Sequence, residues 1–173
     1  MDKNEIICLD LETTGLDNQC DEILQLSIIN GAGDVLFNEY LKPAKHEYWD
    51  KAMQINGITP KMVENKKGIS YHIAEIERII NGARLIVGYN SDYFDIPFLE
   101  ASGIIINDDI ETYDVMLEFA KIFGERDEYH KNYKWQKLTT CANYYGYIQK
   151  GNFHDSLEDV KATLYCYFKM QEN

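Results

Sequence analysis

The sequence predicts a single α/β domain in which helices pack on the faces of a mixed β-sheet. Three observations support this fold class: three strand-like segments come first, helical and strand-like segments then alternate, and the remainder is helical. With 173 residues, 45% of them hydrophobic and 27% charged, the chain has the size and composition of one globular domain. No repeat or linker divides the sequence, so we expect one domain over residues 1–173.

The N-terminal part is predicted to be an antiparallel meander. Residues 5–11 form an apolar run, which is typical of a strand that is covered on both faces. Residues 22–30 and 34–41 are strand-like and are joined by Gly-Ala-Gly, which indicates a hairpin. A short helix is expected around residues 47–55.

The rest of the chain is predicted to alternate between helices and short strands. Isoleucines recur at spacings of three and four between Ser70 and Gly82, which indicates an amphipathic helix with Ser70 as its N-cap. The further predicted elements are a buried strand (83–90), a helix (94–102), a strand (104–107), two helices (113–123 and 137–146) and a last helix (155–170).

Several classes of protein are disfavoured by composition. No apolar run is long enough for a membrane helix, and residues 1–9 lack the pattern of a signal peptide. The four cysteines have no CxxC spacing, so neither a zinc site nor a disulfide scaffold is indicated. We therefore expect a cytoplasmic protein with reduced thiols and no membrane partner.

The charge is unevenly distributed along the chain. The net charge is -12, and residues 85–120 contain eight acidic residues and no Lys or Arg, whereas residues 121–137 contain five basic residues. This suits a metal site beside a strip that holds an anion, although solvated surface charge explains such asymmetry equally well. Residues 125–138 interleave basic and aromatic side chains, which predicts either a guide for a nucleic acid strand or a polar loop before a helix with a core Trp135.

Two carboxylates lie at the end of the first predicted strand. Asp10 and Glu12 share one strand face, because strand side chains alternate. Neighbouring carboxylates repel each other, and a divalent cation such as Mg²⁺ or Mn²⁺, which prefers hard oxygen ligands, removes that conflict. Gly15 is expected to let the backbone turn directly afterwards. The alternative is a capped strand end that leads into a polar turn.

Two later regions also bring acids to the ends of predicted elements. Asp95 is expected at a helix start, where the helix dipole favours an anion with or without a catalytic role, and Asp92 competes with it as a ligand. In the third region, Asp155 and Glu158 have the spacing of a capping box. His154 and Asp159 in that region have no such structural explanation, and together they supply a titratable base and a further carboxylate.

Taken in order, these three regions resemble the DEDD superfamily of 3′–5′ exonucleases, in the DEDDh (DnaQ-like) branch that includes the proofreading epsilon subunit of bacterial DNA polymerase III. The motifs read D-L-E-T-T-G-L (10–16), N-S-D-Y-F-D (90–95) and H-D-S-L-E-D (154–159), and the resemblance covers nearly the whole chain. It implies a ribonuclease H-like fold with a central five-stranded sheet whose first three strands are antiparallel. Histidine in the third motif, where the sister branch has tyrosine, indicates the DEDDh branch.

The resemblance also implies roles for individual residues. The acidic positions Asp10, Glu12, Asp95 and Asp159 would hold two divalent metal ions, Mg²⁺ or Mn²⁺, and His154 would be the general base. Leu16 would act as a wedge against terminal bases. The candidate substrate-binding residues are Thr13, Thr14, Gly15, Leu16, Asn90 and Phe94. The chain departs from many members in reading Tyr89-Asn90 where they read His-Asn.

The function implied by the resemblance is removal of nucleoside 5′-monophosphates from the 3′ ends of single-stranded or frayed DNA, with a separate polymerase chain as a possible partner. The first alternative is an exoribonuclease that trims RNA 3′ ends or short oligoribonucleotides. A catalytically silent nucleic-acid-binding module and a phosphoesterase acting on small phosphodiesters are further alternatives.

Overall fold

A computed structural model of the chain describes residues 1–129, 131–148 and 155–172. A five-stranded mixed sheet lies at the centre, which confirms the predicted sheet. Its strands are β1 (Ile6–Thr13), β2 (Ile23–Asn30), β3 (Val35–Tyr40), β4 (Leu85–Gly88) and β5 (Glu111–Asp114), in the order β3-β2-β1-β4-β5. The first three strands are antiparallel, and β4 and β5 continue the sheet in parallel beside β1.

Helices cover both faces of this sheet, and a small two-stranded hairpin lies between α5 and α6 in the chain. The helices are α1 (Asp50–Asn56), α2 (Pro60–Val63), α3 (Ile69–Ile80), α4 (Asp95–Ala101), α5 (Val115–Phe123), α6 (Leu138–Tyr145) and α7 (Ser156–Gln171), with a 3-10 turn at Lys3–Glu5. The hairpin consists of β6 (Arg126–Asp127) and β7 (Asn132–Tyr133). Within the described part of the chain, no helix combines the length and the apolar character that crossing a membrane requires.

Strand β1 lies between two hydrophobic layers and divides its side chains between them. Ile7, Leu9 and Leu11 pack in the layer formed with α3 and α4. Ile6 and Cys8 pack on the other face, in the layer formed with α5, α6 and α7. Both faces are therefore covered, as the apolar run predicted.

The fifth strand differs from the prediction. Residues 104–107 were predicted as a strand from their isoleucines, but they form an irregular connection in which Ile104 and Ile106 pack against the core. The strand is Glu111–Asp114 instead, and it pairs with β4 alone at the edge of the sheet. Only Asp114 of this edge strand is buried, so its sequence E-T-Y-D lacks the apolar run that marks a strand covered on both faces.

Two predicted helix caps are also wrong. Helix α3 begins one residue before Ser70, and Gly68 is its N-cap, with the Gly68 carbonyl accepting from the N–H of Tyr71. Glu158 does not close a capping box on α7, and its carboxylate accepts instead from Lys161 at 2.6 Å. In both cases the residue type suited the cap, but the backbone and a local ion pair decided the outcome.

Candidate active site

Three carboxylates meet at the C-terminal end of β1. Asp10 and Glu12 of β1 and Asp159 of α7 each offer an oxygen, and these three oxygens lie within 4.8 Å of one another. Asp159 is buried, and the two β1 carboxylates are half-buried. The structure thus brings together three of the four acidic residues for which the sequence predicted metal binding.

The alternation of side chains along β1 explains this arrangement. Ile6 and Cys8 face α7, and the Cys8 thiol donates to the carbonyl of Val160 at 3.5 Å. Asp10 and Glu12 continue the same face beyond these apolar residues. The face of β1 that packs on α7 therefore changes from apolar to acidic beside the first turns of that helix.

Two polar side chains of β2 fix the beginning of α7 above the carboxylates. Asp155 caps the helix by accepting from the N–H of Leu157 at 3.0 Å, as predicted. Gln25 donates to the Asp155 carboxylate at 3.2 Å and accepts from the N–H of Ser156 at 3.4 Å. The hydroxyls of Ser27 and Ser156 are 2.6 Å apart. These contacts set the height of α7 over the sheet, and hence the position of Asp159.

Gln25 and Ser27 were missed in the sequence. In the antiparallel register, Gln25 pairs with Glu12 and Ser27 pairs with Asp10, so each polar residue lies beside one carboxylate. Both are almost completely buried. The available signal was the presence of two polar residues at alternate positions of an otherwise apolar strand, because burial of such groups requires hydrogen-bond partners.

Asp95 lies next to the group of three carboxylates and contacts the backbone of β1. It is buried at the start of α4, and its Oδ1 accepts from the N–H of Leu11 at 2.9 Å. Burial raises the pKa of Asp95 to about 7, although the hydrogen bond from Leu11 opposes this. Asp92 is exposed, and its N–H donates to Asp114 at 3.3 Å. The structure therefore favours Asp95 over Asp92 as the acidic residue of the second motif.

The electrostatics of the carboxylate group favour a cation. Burial raises the pKa of Asp10 well above its usual range, and the charges of the neighbouring acidic side chains add to this. Burial and the charge of Asp159 raise the pKa of Glu12 to about 8, against a lowering by a hydrogen bond from Asn56. The folded chain thus brings together carboxylates that resist ionisation. Hard oxygen donors under mutual repulsion are a donor set that fits Mg²⁺ or Mn²⁺.

The turn after β1 is held by its own hydroxyl groups. The Thr14 hydroxyl donates to Asp21 at 3.0 Å and accepts from the N–H of Glu22 at 2.9 Å, and the Thr14 N–H donates to the Glu22 carbonyl at 2.8 Å. The Thr13 hydroxyl donates to the carbonyl of Gly15 at 2.5 Å. The donors of Thr14 are therefore engaged within the turn, so this residue shapes the turn.

Gly15 is closely approached by the side chain of Asp21. A Cβ atom at this position would lie 2.3 Å from the carboxylate of Asp21. The chain bends at residues 14–16, directly after β1, as expected, and Gly15 does so without a positive φ. Leu16, which follows directly, is 87% exposed in the turn after β1.

The second motif is organised by a residue that the sequence interpretation overlooked. Asp114 accepts from the N–H of Asn90 at 3.0 Å and caps α5 by accepting from the N–H of Met116 at 2.9 Å. Asn90 has a φ of 65°, a left-handed conformation that asparagine tolerates. Phe94 is half-buried and packs on Phe98, with ring centroids 4.8 Å apart. An aspartate directly before a helical run was the signal for Asp114.

One further contact supports the end of β1, and the predicted general base cannot be placed. Asn56, the last residue of α1, donates to the carbonyl of Thr13 at 3.2 Å and so supports the end of β1. His154, the predicted general base, lies outside the described residues, and so do the other residues from 149 to 153. Its role stays a prediction.

Comparison with known protein families gives a match over most of the chain. The RNase_T family model, described as an exonuclease, matches residues 7–167. Uncharacterized exonuclease CP81 of Escherichia phage 186 is 30% identical over 177 residues, which cover 94% of this chain and 86% of that protein. DNA polymerase III PolC-type of Thermotoga maritima is 38% identical over 96 residues, which cover 54% of this chain and 7% of that protein.

Solved structures show the same fold. Exonuclease I of E. coli in complex with a dT13 oligonucleotide matches with a TM-score of 0.75 at 20% identity, covering 97% of this chain and 41% of that chain. Apo exonuclease I also matches with a TM-score of 0.75, over 97% of this chain and 42% of that chain. The predicted ribonuclease H-like fold is thereby confirmed, and this chain spans less than half the length of those structures.

Proposed function

Since the chain belongs to the DEDDh, DnaQ-like exonuclease family, we propose that it hydrolyses the terminal phosphodiester bond at the 3′ end of a nucleic acid strand and releases a nucleoside 5′-monophosphate. The observation that carries this proposal is the group of carboxylates formed by Asp10, Glu12 and Asp159 within 4.8 Å, with Asp95 buried beside it. We propose that residues 1–173 act as one such domain.

The four acidic residues are proposed to hold two divalent cations, Mg²⁺ or Mn²⁺. Their fit is supported by the oxygen donors themselves and by the raised pKa values of Asp10 and Glu12, which a nearby cation would lower. Such ions supply charge stabilisation for the attacking and leaving oxygens of a phosphodiester. Asp95 also holds the backbone of β1 through Leu11, so it keeps the carboxylates in place.

The remaining roles belong to side chains around this group. His154 takes the proton of the attacking water, for which an imidazole with a usual pKa of about 6.5 is suited near neutral pH. Leu16 contacts the terminal base from the tip of the turn, and its exposed apolar side chain supports that role. Asn90 and Phe94 belong to the second motif and are proposed to contact the terminal nucleotide.

We propose single-stranded DNA as the substrate. The similar exonuclease I structures contain dT13 and dA16 oligonucleotides, and the PolC-type relatives are DNA polymerases, which supports DNA over RNA and a polymerase as a partner to test. An exoribonuclease on RNA ends is the alternative outcome. In both cases the chemistry at the carboxylates is the same.

The test is a product ladder from DNA and RNA strands of matched sequence, labelled at the 5′ end and incubated with Mn²⁺. We expect stepwise shortening of the DNA strand from its 3′ end, and no shortening with Asp10→Ala or Asp159→Ala. The exposed Glu100→Ala serves as the matched control and should leave the ladder unchanged. Faster shortening of the RNA strand would indicate RNA rather than DNA as the substrate. If both strands stay intact, the enzymatic proposal is refuted.

A further inference from the structure

Two exposed aromatic side chains stack beside the second motif. Tyr93 lies in the turn between β4 and α4, and Trp135 lies between β7 and α6. Their ring centroids are 5.8 Å apart, and the ring planes are inclined by 26°. Tyr93 nevertheless keeps 65% of its surface exposed and Trp135 keeps 53%. The alternative prediction that Trp135 belongs to the core is therefore wrong, and much of each ring is open to solvent.

Hydrogen bonds hold Trp135 in this position. The Tyr89 hydroxyl donates to the carbonyl of Gln136 at 2.8 Å, which ties the residue after Trp135 to the end of β4. The Lys134 N–H donates to the Glu125 carbonyl at 2.8 Å, and the Gln136 amide donates to the Glu125 carboxylate at 3.0 Å. Both neighbours of Trp135 are thus anchored, so the indole is presented to solvent by a braced segment.

One member of the stacked pair, Tyr93, is close in sequence to Asp95. Tyr93 is two residues from Asp95, and consecutive Cα atoms are about 3.8 Å apart, so the two Cα atoms are at most about 7.6 Å apart. A strand whose last nucleotide lies at the carboxylates must continue over the neighbouring surface. A strand that continues on the side of Tyr93 would bring its preceding nucleotides to Tyr93 and to Trp135, which stacks on it.

The surroundings of the pair suit a polyanion better than the rest of the protein does. Residues 121–137 contain five basic and three acidic residues, in a chain whose net charge is -12. Trp135 and Lys134 line a cleft of about 440 Å³ together with Asp127, Asn132 and Tyr133. Lys134, the one lysine of this cleft, forms an ion pair with Glu125 at 2.9 Å, so the exposed aromatic faces are the main element for binding a single strand without reading its sequence.

We propose that Tyr93 and Trp135 form a stacking platform for the bases that precede the 3′-terminal nucleotide of a single strand. The inference rests on the proposed exonuclease function and adds a second contact surface to it. Because every base has an aromatic face, the platform accepts all sequences, and it holds the strand while its end enters the site. A strand too short to reach the platform gains nothing from it.

Tryptophan fluorescence provides the direct test. The chain has two tryptophans, and Trp49 is buried with its ring N–H donating to the carbonyl of Ile58 at 2.7 Å, so Trp135 is the accessible reporter. In EDTA, which prevents hydrolysis, a thymidine strand of about twelve nucleotides should quench the fluorescence by stacking. The same backbone with abasic sites before the last nucleotide should quench far less, and equal quenching by both strands would overturn the proposal.

Affinity measurements on variants complete the test. Trp135→Ala and Tyr93→Ala should each weaken binding of the long strand by roughly 5- to 150-fold, which corresponds to about 1–3 kcal/mol of base stacking. The same variants should weaken binding of a dinucleotide by less than about twofold, because a dinucleotide is too short to reach the platform. Trp135→Phe should retain most of the affinity. Tyr71→Ala, which removes an exposed aromatic side chain of α3, is the matched control. Unchanged affinity of Trp135→Ala for the long strand would overturn the platform.

These outcomes are distinguishable from failure of the proposed function. Thermal unfolding of each variant shows whether the fold is intact, and Trp135→Phe provides a milder change if the alanine variant is unstable. If strands are cut but Trp135→Ala binds them normally, only the platform is refuted. If no strand is cut while base-dependent quenching persists, the platform stands and the exonuclease proposal fails.

Discussion

Replacement of Glu12 by glutamine should stabilise the metal-free protein at alkaline pH. Glu12 lies in the same group of carboxylates as Asp10 and Asp159, with oxygens within 4.8 Å. Glutamine has nearly the same shape and removes one of the repelling charges. A residue selected for catalysis would therefore lower the stability of the protein when no metal is bound, and its removal should raise the free energy of unfolding.

The size of this effect follows from the pKa of Glu12, which lies at about 8 rather than at its usual value of 4.5. Because the folded-state pKa is above the unfolded one, the folded protein retains this proton between the two values, and stability falls as the pH rises through that range. At about 1.4 kcal/mol per pKa unit the full penalty would be about 5 kcal/mol. Protons shared with the neighbouring carboxylates reduce it, so we expect about 1–3 kcal/mol.

The assay is urea unfolding in EDTA at about pH 5 and about pH 8.5, on either side of the titration. The free energy of unfolding of the wild type should be lower at the higher pH. That of Glu12→Gln should be nearly the same at both pH values. Glu100→Gln removes an exposed charge from α4 and controls for the general relief of a net charge of -12. With Mg²⁺ the order should reverse, because the wild type keeps all its ligands. If Glu12→Gln is no more stable than the wild type at the higher pH in EDTA, the reasoning is refuted.

Three further changes test other parts of the site. Gln25→Ala removes the side chain that positions the start of α7, so the half-saturating Mn²⁺ concentration for strand cleavage should rise by about tenfold, with a loss of about 1–2 kcal/mol of stability; an unchanged metal requirement would contradict a positioning role. Gly15→Ala places a Cβ 2.3 Å from the Asp21 carboxylate and should cost about 1–3 kcal/mol in thermal unfolding, with recovery in the Gly15→Ala/Asp21→Ala double variant relative to Asp21→Ala alone. Asp95→Ala should abolish cleavage of a labelled strand and Asp92→Ala should not; the opposite result would show that the second motif was assigned wrongly.

Much of the fold was predictable because its central elements are buried. Three patterns each predicted an element to within a few residues of its observed bounds. They are the apolar run before Asp10, the hairpin signal Gly-Ala-Gly and the isoleucine spacing of α3. The edge of the sheet was not predictable in this way. Glu111–Asp114 is a strand only because β4 offers it a partner, and a four-residue polar segment carries no pattern of its own.

The charged residues of the candidate site could be predicted from the sequence, because they have no structural role there. The polar residues that support them were missed. Asp10, Glu12 and Asp159 stood out because nothing in a strand or a helix requires them. Gln25 and Asp114 were missed, since their importance lies in hydrogen bonds to residues far away in sequence, such as the bond from Gln25 to Asp155 across 130 positions. Contacts of this kind follow from the packing of α7 on β2, which a single sequence does not reveal.

The packing of the first strand against α7 also has a consequence for the order in which a newly made chain matures. The hydrogen bond from Cys8 to Val160 spans 152 positions, so the two halves of the carboxylate group belong to opposite ends of the sequence. A ribosome-bound chain that has emerged only as far as α6 contains Asp10 but lacks Asp159. Until α7 docks, Asp159 is absent from the group, so the repulsion among all three carboxylates arises only when the last helix packs on β1.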